Sequence, residues 1–458
     1  MPTPRAIAVI DIGKTNAKLA LIEAATGNQI DRRSMVNTPL DDGPYPHANV
    51  AGLWLFICDA LRELNVGYGI DAISITTHGA TAALLDGDGL ALPVLDYEFD
   101  GPDTVRADYE AVRPDFRESY SPSLPAGLNL GAQIFWQERT YPEEFSHVTD
   151  ILTYPQYWAW RLTGVKASEV TSLGCHTDLW APDRRDYSRM VSERGWRARF
   201  PELKPAASVL GTLVDEVAQL TGLPASTPVA CGIHDSNASL LPHLDARQTP
   251  FTVISAGTWT ICMTVGGKTE TLDRERDSLA NVDMHARPTP TARFMGGREF
   301  EILAGRSEAA APSEADIAAV LDQQILVLPS FVEGVGPFPD QKGRWSHDPA
   351  QLSDGQRVAA ISLYLAMMTR EALQLCGVGR EIVVEGSLAR NALYAQALAK
   401  LTNVDVSVSD DATGTSLGAS KLFGAASGAA SRTRPVTALQ SAKFDAYSVT
   451  WRSHVTRS

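Results

Sequence analysis

Apolar residues come in short runs broken by polar turns that carry glycine, and two stretches share one design. From Ala6 to Ala24 the chain reads AIAVIDIGKTNAKLALIEA: an apolar strand, a turn of Gly, Lys, Thr and Asn, and a second apolar strand. From Phe251 to Val265 it reads FTVISAGTWTICMTV, with the same order. Apolar runs of this length bounded by turn residues predict β-hairpins. The strand pattern continues to residue 35, through a turn at Thr26, Gly27 and Asn28. Trp54 to Leu64 has helical spacing. Asp71 to Thr77 and Ala80 to Leu85 read as strands, the second ended by the turn Asp86-Gly87-Asp88-Gly89. Residues 100–150 are mixed, rich in proline and aromatics, and predict a cap on the core. Helices are expected over Thr153 to Leu162, Asp215 to Leu220 and Ser236 to Leu241.

A second half begins near Ala246. Gly305 to Ala315 is rich in Pro, Ala, Ser and Glu and predicts a surface connection, and Gln356 to Cys376 predicts a long amphipathic helix. An alternation follows: strand Glu381 to Val384, helix Leu388 to Thr402, strand Val404 to Val408, helix Thr415 to Ser427. That order implies parallel strands with crossover helices. The fold class is therefore α/β with mixed sheets, divided into domains 1–245 and 246–458. The polar tail after Ser431 carries no predicted place.

Composition narrows the function. The hydrophobic fraction of 44% and charged fraction of 21% are those of an ordinary globular protein. A net charge of -14 argues against nonspecific nucleic-acid binding, which needs clustered positive charge. It leaves room for a nucleotide, because a phosphate pocket is built locally from backbone N–H groups and a few cations. Five scattered cysteines without a CxxC pair predict free, mostly buried thiols rather than zinc or a disulfide framework. No basic-then-apolar leader opens the chain, and no apolar run approaches the ~20 residues of a membrane span. The expectation is a cytoplasmic protein without membrane or nucleic-acid partners.

The chemistry lies in the turns. In DIGKTNAK, Gly13 permits a tight turn, and Lys14, Thr15 and Asn16 offer a cation, a hydroxyl, an amide and backbone donors able to cradle phosphates. Lys18 follows on the returning strand. Asp11 ends the first strand and is placed to hold Mg²⁺ through water. Ser255, Gly257 and Thr258 give the second turn the same character. Between the turns lies CGIHDSNASLL, with Asp235 at a helix start. A carboxylate flanked by two phosphate-type turns is suited to take a proton from an attacking hydroxyl. In VVEGSLARN, Gly386 lets a flat ring approach the backbone, and Ser387 and Asn391 offer it hydrogen bonds. In TTHGA, His78 and Gly79 end a strand, a frequent place for ligand contacts. Asp96, Tyr97 and Glu98 are placed to reach sugar hydroxyls. Each motif also has a plainer reading: an ordinary hairpin, an N-cap aspartate, a βα turn, a structural histidine or a solvated loop.

Together these pieces resemble the FGGY family of carbohydrate kinases, within the actin-like and hexokinase-like ATPase superfamily. The closest look is to L-rhamnulose and L-fuculose kinases. DIGKTN, GIHDSNAS and SAGTW carry the resemblance, with LTGVKASEVTSL (Leu162 to Leu173) and GTSLGASKLFG (Gly414 to Gly424). It implies two ribonuclease-H-like domains around a central cleft, ATP and Mg²⁺, a small-molecule sugar substrate, and Asp235 as catalytic base. Lys14, Thr15, Asn16, Ser255, Gly257 and Thr258 would then grip the ATP phosphates. Gly386, Ser387 and Asn391 would border the adenine. Gly79, His234 and Asp235 would touch the sugar, with His78 beside them. Relatives are often dimers, which raises that expectation here. Glu385 stands where the family commonly has Gly, and Gln133 where it often has Lys. A pentulose or polyol kinase, an actin-like ATP-binding protein and a sugar-binding regulator remain the alternatives.

Overall fold

In the computed structural model, which describes residues 4–87, 89–305, 311–409, 414–426 and 433–455, the first hairpin pairs Ala6–Ile12 with Asn16–Glu23. Asp11 lies opposite Lys18. Gln29–Val36 extends the hairpin on its outer side. The helix Val50–Tyr68 then leads to Ala72–Thr77, which runs parallel to Ala6–Ile12 and sets Asp11 opposite Thr76. The helix starts because the Asn49 side chain accepts the N–H of Gly52. Pro228–Ala230 and Ile233–His234 both add parallel to Ala72–Thr77, and Val209–Thr212 closes the far edge. Ala6–Ile12 and Ala72–Thr77 are buried along their whole length; the first is an apolar run broken only by Asp11, whereas the second buries Ser74, Thr76 and Thr77 as well.

The chain forms two compact units. The first takes Met1–Ala246, Ala280–Pro288 and Thr413–Ser431; the second takes Arg247–Leu279, Thr289–Ala412 and Arg432–Ser458. The single division at residue 245 thus fails for two later segments. The reason is packing. Ala419 and Leu422 share a core with Ile7, Val9, Ala72 and Ile233. Ser74 Oγ donates to Ala419 O at 2.7 Å. At Gly418 a side chain would meet Ala238 O at 1.8 Å, so only glycine allows that approach. Val282 packs with Leu173 and Leu179 in another core of the first unit.

The second unit repeats the pattern. Phe251–Ala256 pairs antiparallel with Thr260–Val265, which pairs with Pro288–Phe294. On its other side Phe251–Ala256 runs parallel to Glu381–Gly386, followed by Asp405–Ser409 and then Thr433–Pro435.

Other expectations need correction. The helix Asp354–Cys376 is buried on most of its surface rather than amphipathic, because it packs against three helices and two strands. Its polar Ser362 and Thr369 return their hydroxyls to Val358 O and Leu365 O. The strand expected from Ala80 begins at Ala82, and it pairs with Asp150–Thr153. The helix expected over Thr415 to Ser427 ends at Ser420 and tightens into a 3₁₀ turn, Lys421–Phe423, while Ser427 lies outside the described residues. Asp88, and residues 306–310 of the expected surface connection, also lie outside them. The unplaced tail holds a helix, Ala442–Val455, that buries Phe444, Tyr447 and Trp451. Those three lie at i, i+3 and i+7, a helical stripe within a polar composition. Tyr447 donates to Ile325 O at 2.6 Å and Trp451 to Val327 O at 2.7 Å. None of the five cysteines forms a disulfide, and all are buried. Among the described residues no helix is long and apolar enough to cross a membrane.

Candidate active site

Ile233–His234 ends where the helix Asp235–Ala246 begins, so Asp235 sits on the first turn of that helix beside the ends of the central strands. Its Oδ1 is held three ways: by Ser236 N at 2.6 Å, by Ser236 Oγ at 3.3 Å and by His234 Nε2 at 3.1 Å. Among the described residues Oδ2 has no partner. Burial raises the carboxyl above the usual aspartate range, with His78 and the Ser236 hydrogen bonds opposing. Burial also pushes the His234 imidazole down to about 4, so the ring is neutral near pH 7. Its Nδ1 has no partner among the described residues while Nε2 faces the carboxylate, so the ring proton belongs on Nε2, where Oδ1 accepts it. At Gly79 a side chain would meet His234 Nε2 at 2.8 Å, so glycine is needed there to let His234 reach Asp235.

A buried chain of hydrogen bonds holds this corner from behind. His234 N donates to Thr171 Oγ1 at 3.0 Å, and Thr171 Oγ1 donates to Glu169 Oε2 at 2.5 Å. Glu169 also caps the short helix Val170–Leu173 by accepting Thr171 N at 2.9 Å. It is fully buried, and burial pushes its carboxyl up to about 7. Neither residue stood out in the sequence. The available signal was their place in LTGVKASEVTSL, where the acid precedes Thr171 by two.

The loop Asp96–Glu98 and the first turn meet through Lys14. Its ammonium pairs with Asp96 and, at 3.3 Å, with Glu98, and it lies 5.0 Å from the centre of the Tyr97 ring. Lys14 was expected at phosphates; its cation is instead engaged by two carboxylates. His78 is wedged between Tyr97 and Tyr154, with ring centres at 5.4 and 5.2 Å. Burial lowers the His78 pKa and raises the Tyr97 phenol to about 12. Gln133 links the two loops: its Nε2 donates to Ala80 O at 2.5 Å and to Gly127 O, and Gly127 N donates to Tyr97 O at 2.9 Å.

The first turn itself is tight: Gly13 N donates to Asn16 O at 2.9 Å, and Asn37 ties down Gly13 O and Thr15 O. Thr15, Asn16 and Lys18 are exposed. Asp11 is buried and accepts Ser416 Oγ at 2.8 Å. Burial raises its pKa, and the charge of Asp235 adds to the rise. Two acids this close, one of them buried, form a place that a divalent cation would neutralise, so Asp11 fits a Mg²⁺ role.

In the second unit Ser255, Gly257 and Thr258 are exposed on their turn, which is closed by Gly257 N donating to Trp259 O at 2.8 Å. Gly386 has φ +81°, and a side chain there would meet Ala256 O at 2.0 Å. Ser387 Oγ donates to Ala256 O at 3.2 Å. Asn391 uses Oδ1 to cap the helix Ala392–Thr402 and Nδ2 to reach Ser362 Oγ at 2.9 Å, so its side chain is a structural cap. Beside Ser387 and Asn391 lies a cavity of about 460 Å³, bounded also by Phe300, Ile317 and Leu393. Glu385 is buried in its strand.

Comparisons with known proteins identify the family. Residues 124–242 match the N-terminal domain model of the FGGY family of carbohydrate kinases, and residues 248–432 match the model described as carbohydrate kinase FGGY, C-terminal domain. A solved carbohydrate kinase from Novosphingobium aromaticivorans is 36% identical, with TM-score 0.92 over 100% of this chain and 99% of that one. L-fuculokinase from Salmonella typhi is 25% identical over 440 residues, 91% of each chain. Rhamnulokinase from Bacteroides thetaiotaomicron is 27% identical over 267 residues, 55% of this chain and 53% of the relative. The chain belongs to the FGGY family of carbohydrate kinases.

Proposed function

We propose that the protein transfers the γ-phosphoryl group of ATP to a hydroxyl of a ketose, an L-ketohexose such as L-fuculose or L-rhamnulose, with Asp235 as general base. The observation that carries this reading is the state of Asp235. One carboxylate oxygen is fixed by three donors, the other has no partner among the described residues, and burial raises the pKa above the usual aspartate range. A base poised this way accepts a hydroxyl proton on Oδ2 as the sugar oxygen attacks phosphorus. The bond between the γ-phosphorus and the ADP oxygen breaks, and ADP leaves. Because the transition state is loose, most of the acceleration comes from positioning and charge. His234 and Ser236 orient the base, and the Glu169–Thr171 chain fixes the backbone of His234.

Thr15, Asn16 and Lys18 of the first turn and Ser255, Gly257 and Thr258 of the second bind the ATP phosphates in this reading, and Gly386 and Ser387 border the adenine. Asp11 would hold Mg²⁺, whose charge offsets that of the phosphates. Gly79, His78, Tyr97, Glu98 and His234 line the sugar side. Homodimer formation and a cytoplasmic setting complete the proposal. The sugar names rest on the L-fuculokinase and rhamnulokinase likenesses.

The test is an ADP-release assay with Mg²⁺-ATP and a panel of ketoses and polyols, with a no-sugar control. Turnover that depends on one or a few L-ketohexoses is the expected result. Turnover on pentuloses or polyols alone would move the substrate class. Hydrolysis without sugar, or none with any sugar while ATP binds, would replace the kinase reading with an actin-like or regulatory one.

A further inference from the structure

The first turn was expected to serve ATP alone, yet its lysine faces elsewhere. Lys14 Nζ pairs with Asp96 and with Glu98 at 3.3 Å, and it stands 5.0 Å from the Tyr97 ring centre. Asp96 is itself fixed, because its Oδ1 accepts Glu98 N at 3.2 Å. Only about a fifth of the Lys14 side chain is exposed, so this is no solvated surface pair. Beside the ammonium is a recess of about 20 Å³, lined by Lys14, Asn37, His78, Thr81, Asp96 and Tyr97. That is room for one water molecule, or one hydroxyl group. Pro39, Ala48 and Leu95 complete the lining, and the Asn37 amide, Thr81 hydroxyl and His78 imidazole are engaged with Gly13 O and Gly79 O, so Lys14 and Asp96 are the polar groups that address this oxygen-sized space.

We propose that Lys14 is a sugar-specificity residue, and that Lys14 and Asp96 together form a slot for one neutral hydroxyl of the substrate, separate from the hydroxyl that reacts at Asp235. The inference rests on the kinase reading above and deepens it. Lys14 donates to the hydroxyl oxygen and Asp96 accepts its proton. One ammonium already faces two carboxylates, so no positive charge is left over for a phosphate or for an anionic sugar. A carboxylated substrate at this place meets like charge and lacks room, whereas a neutral ketose or polyol satisfies both partners. A sugar lacking the hydroxyl leaves the slot between Lys14 and Asp96 unfilled and their remaining hydrogen-bonding capacity unused, which a site built to bind that hydroxyl penalises.

The experiment first identifies a turned-over ketose with the wild-type enzyme; failure at that step counts against the kinase reading and not against this one. Lys14→Met is then compared with wild type. The expected result is a KM for the ketose raised on the order of 10²-fold, with KM for ATP within about threefold. Ketose binding measured by calorimetry without nucleotide should weaken in parallel. Among monodeoxy analogues, the one that wild type rejects most should lose most of its disadvantage in Lys14→Met. A raised KM for ATP with ketose binding unchanged would overturn the proposal and return Lys14 to the phosphates. If Lys14→Met does not fold, Asp96→Asn keeps the shape of the slot and carries the same expectations and the same overturning result.

Discussion

The two hairpin turns occupy the same place in two sheets of like order, yet they carry different chemistry. In each unit an antiparallel hairpin is followed by a strand parallel to its first member: Ala72–Thr77 beside Ala6–Ile12, and Glu381–Gly386 beside Phe251–Ala256. In the first unit the hairpin strand ends in Asp11, the turn carries Lys14, and the parallel neighbour runs into His78 and Gly79. In the second unit the equivalent positions are Ser255, an uncharged turn, and Gly386 with Ser387. The backbone scaffold is shared, and the side chains divide the labour. In the proposed reading, proton transfer and sugar recognition collect in the first unit, where acids, histidines and a lysine are packed together. The second unit offers hydroxyls, backbone donors and a largely apolar cavity with Glu314 and Arg390 on its lining, which in the proposed reading receives a nucleotide.

That division breaks or sharpens under substitution. The largest effect is expected for Asp235→Asn: sugar-dependent turnover should fall by on the order of 10² to 10⁴, with folding and ATP binding retained, as read by steady-state rates and calorimetry. Near-normal turnover would remove the proton-transfer role from the first unit. Next is Gly79→Ala, whose new methyl meets His234 Nε2 at 2.8 Å and pushes it off Asp235. A loss of about 10² in kcat with KM for ATP unchanged is expected, since small misplacements of catalytic groups cost that much. The counterpart in the second unit is Gly386→Ala. There φ is +81° and the methyl meets a backbone carbonyl, so a stability loss of about 1–3 kcal/mol and weaker ATP binding should appear in thermal unfolding and calorimetry.

A pH experiment tests the buried chain behind the base. Glu169 has its carboxyl pushed from 4.5 up to about 7 in the fold. Between those values the unfolded chain has lost the proton and the folded chain keeps it. Stability from this group is therefore full below pH 4.5, declines as pH rises, and levels off above about 7. Glu169→Gln should flatten that decline by roughly 3 kcal/mol relative to wild type, measured by denaturant unfolding across the window. An identical pH profile in the variant would mean that the carboxyl titrates normally. The smallest effect is expected for Thr258→Ala: KM for ATP should rise about fivefold, near 1 kcal/mol, while KM for the ketose stays the same. A change in the ketose KM instead would blur the contrast between the two turns.

How much was legible depends on range along the chain. The hairpins, the strand Ala72–Thr77 and the helix at Asp235 were readable because strand and helix periods are local properties of the sequence. Asp235 was singled out because its flanking turns are themselves local motifs. The Glu169–Thr171–His234 chain was not visible: its hydrogen bond joins residues 63 apart, and nothing near Glu169 announces that the acid is buried. The pairing of Lys14 with Asp96 was not visible for the same reason, since the two lie 82 residues apart. The tail helix was missed because three buried aromatics were diluted by polar neighbours.

The sequence by itself determined the α/β class, the two hairpin turns, the family resemblance and the choice of Asp235, because each is written in short stretches whose physics is local. The tertiary structure alone decided which oxygen of Asp235 is left for a substrate, which nitrogen of His234 carries its proton, and why position 79 takes glycine. It also decided that Thr415–Ser420 packs with the first unit and that Lys14 turns to Asp96. Each of these is set by burial and by partners distant in the chain, and desolvation, which moves every pKa discussed for this site, exists only once the chain has folded.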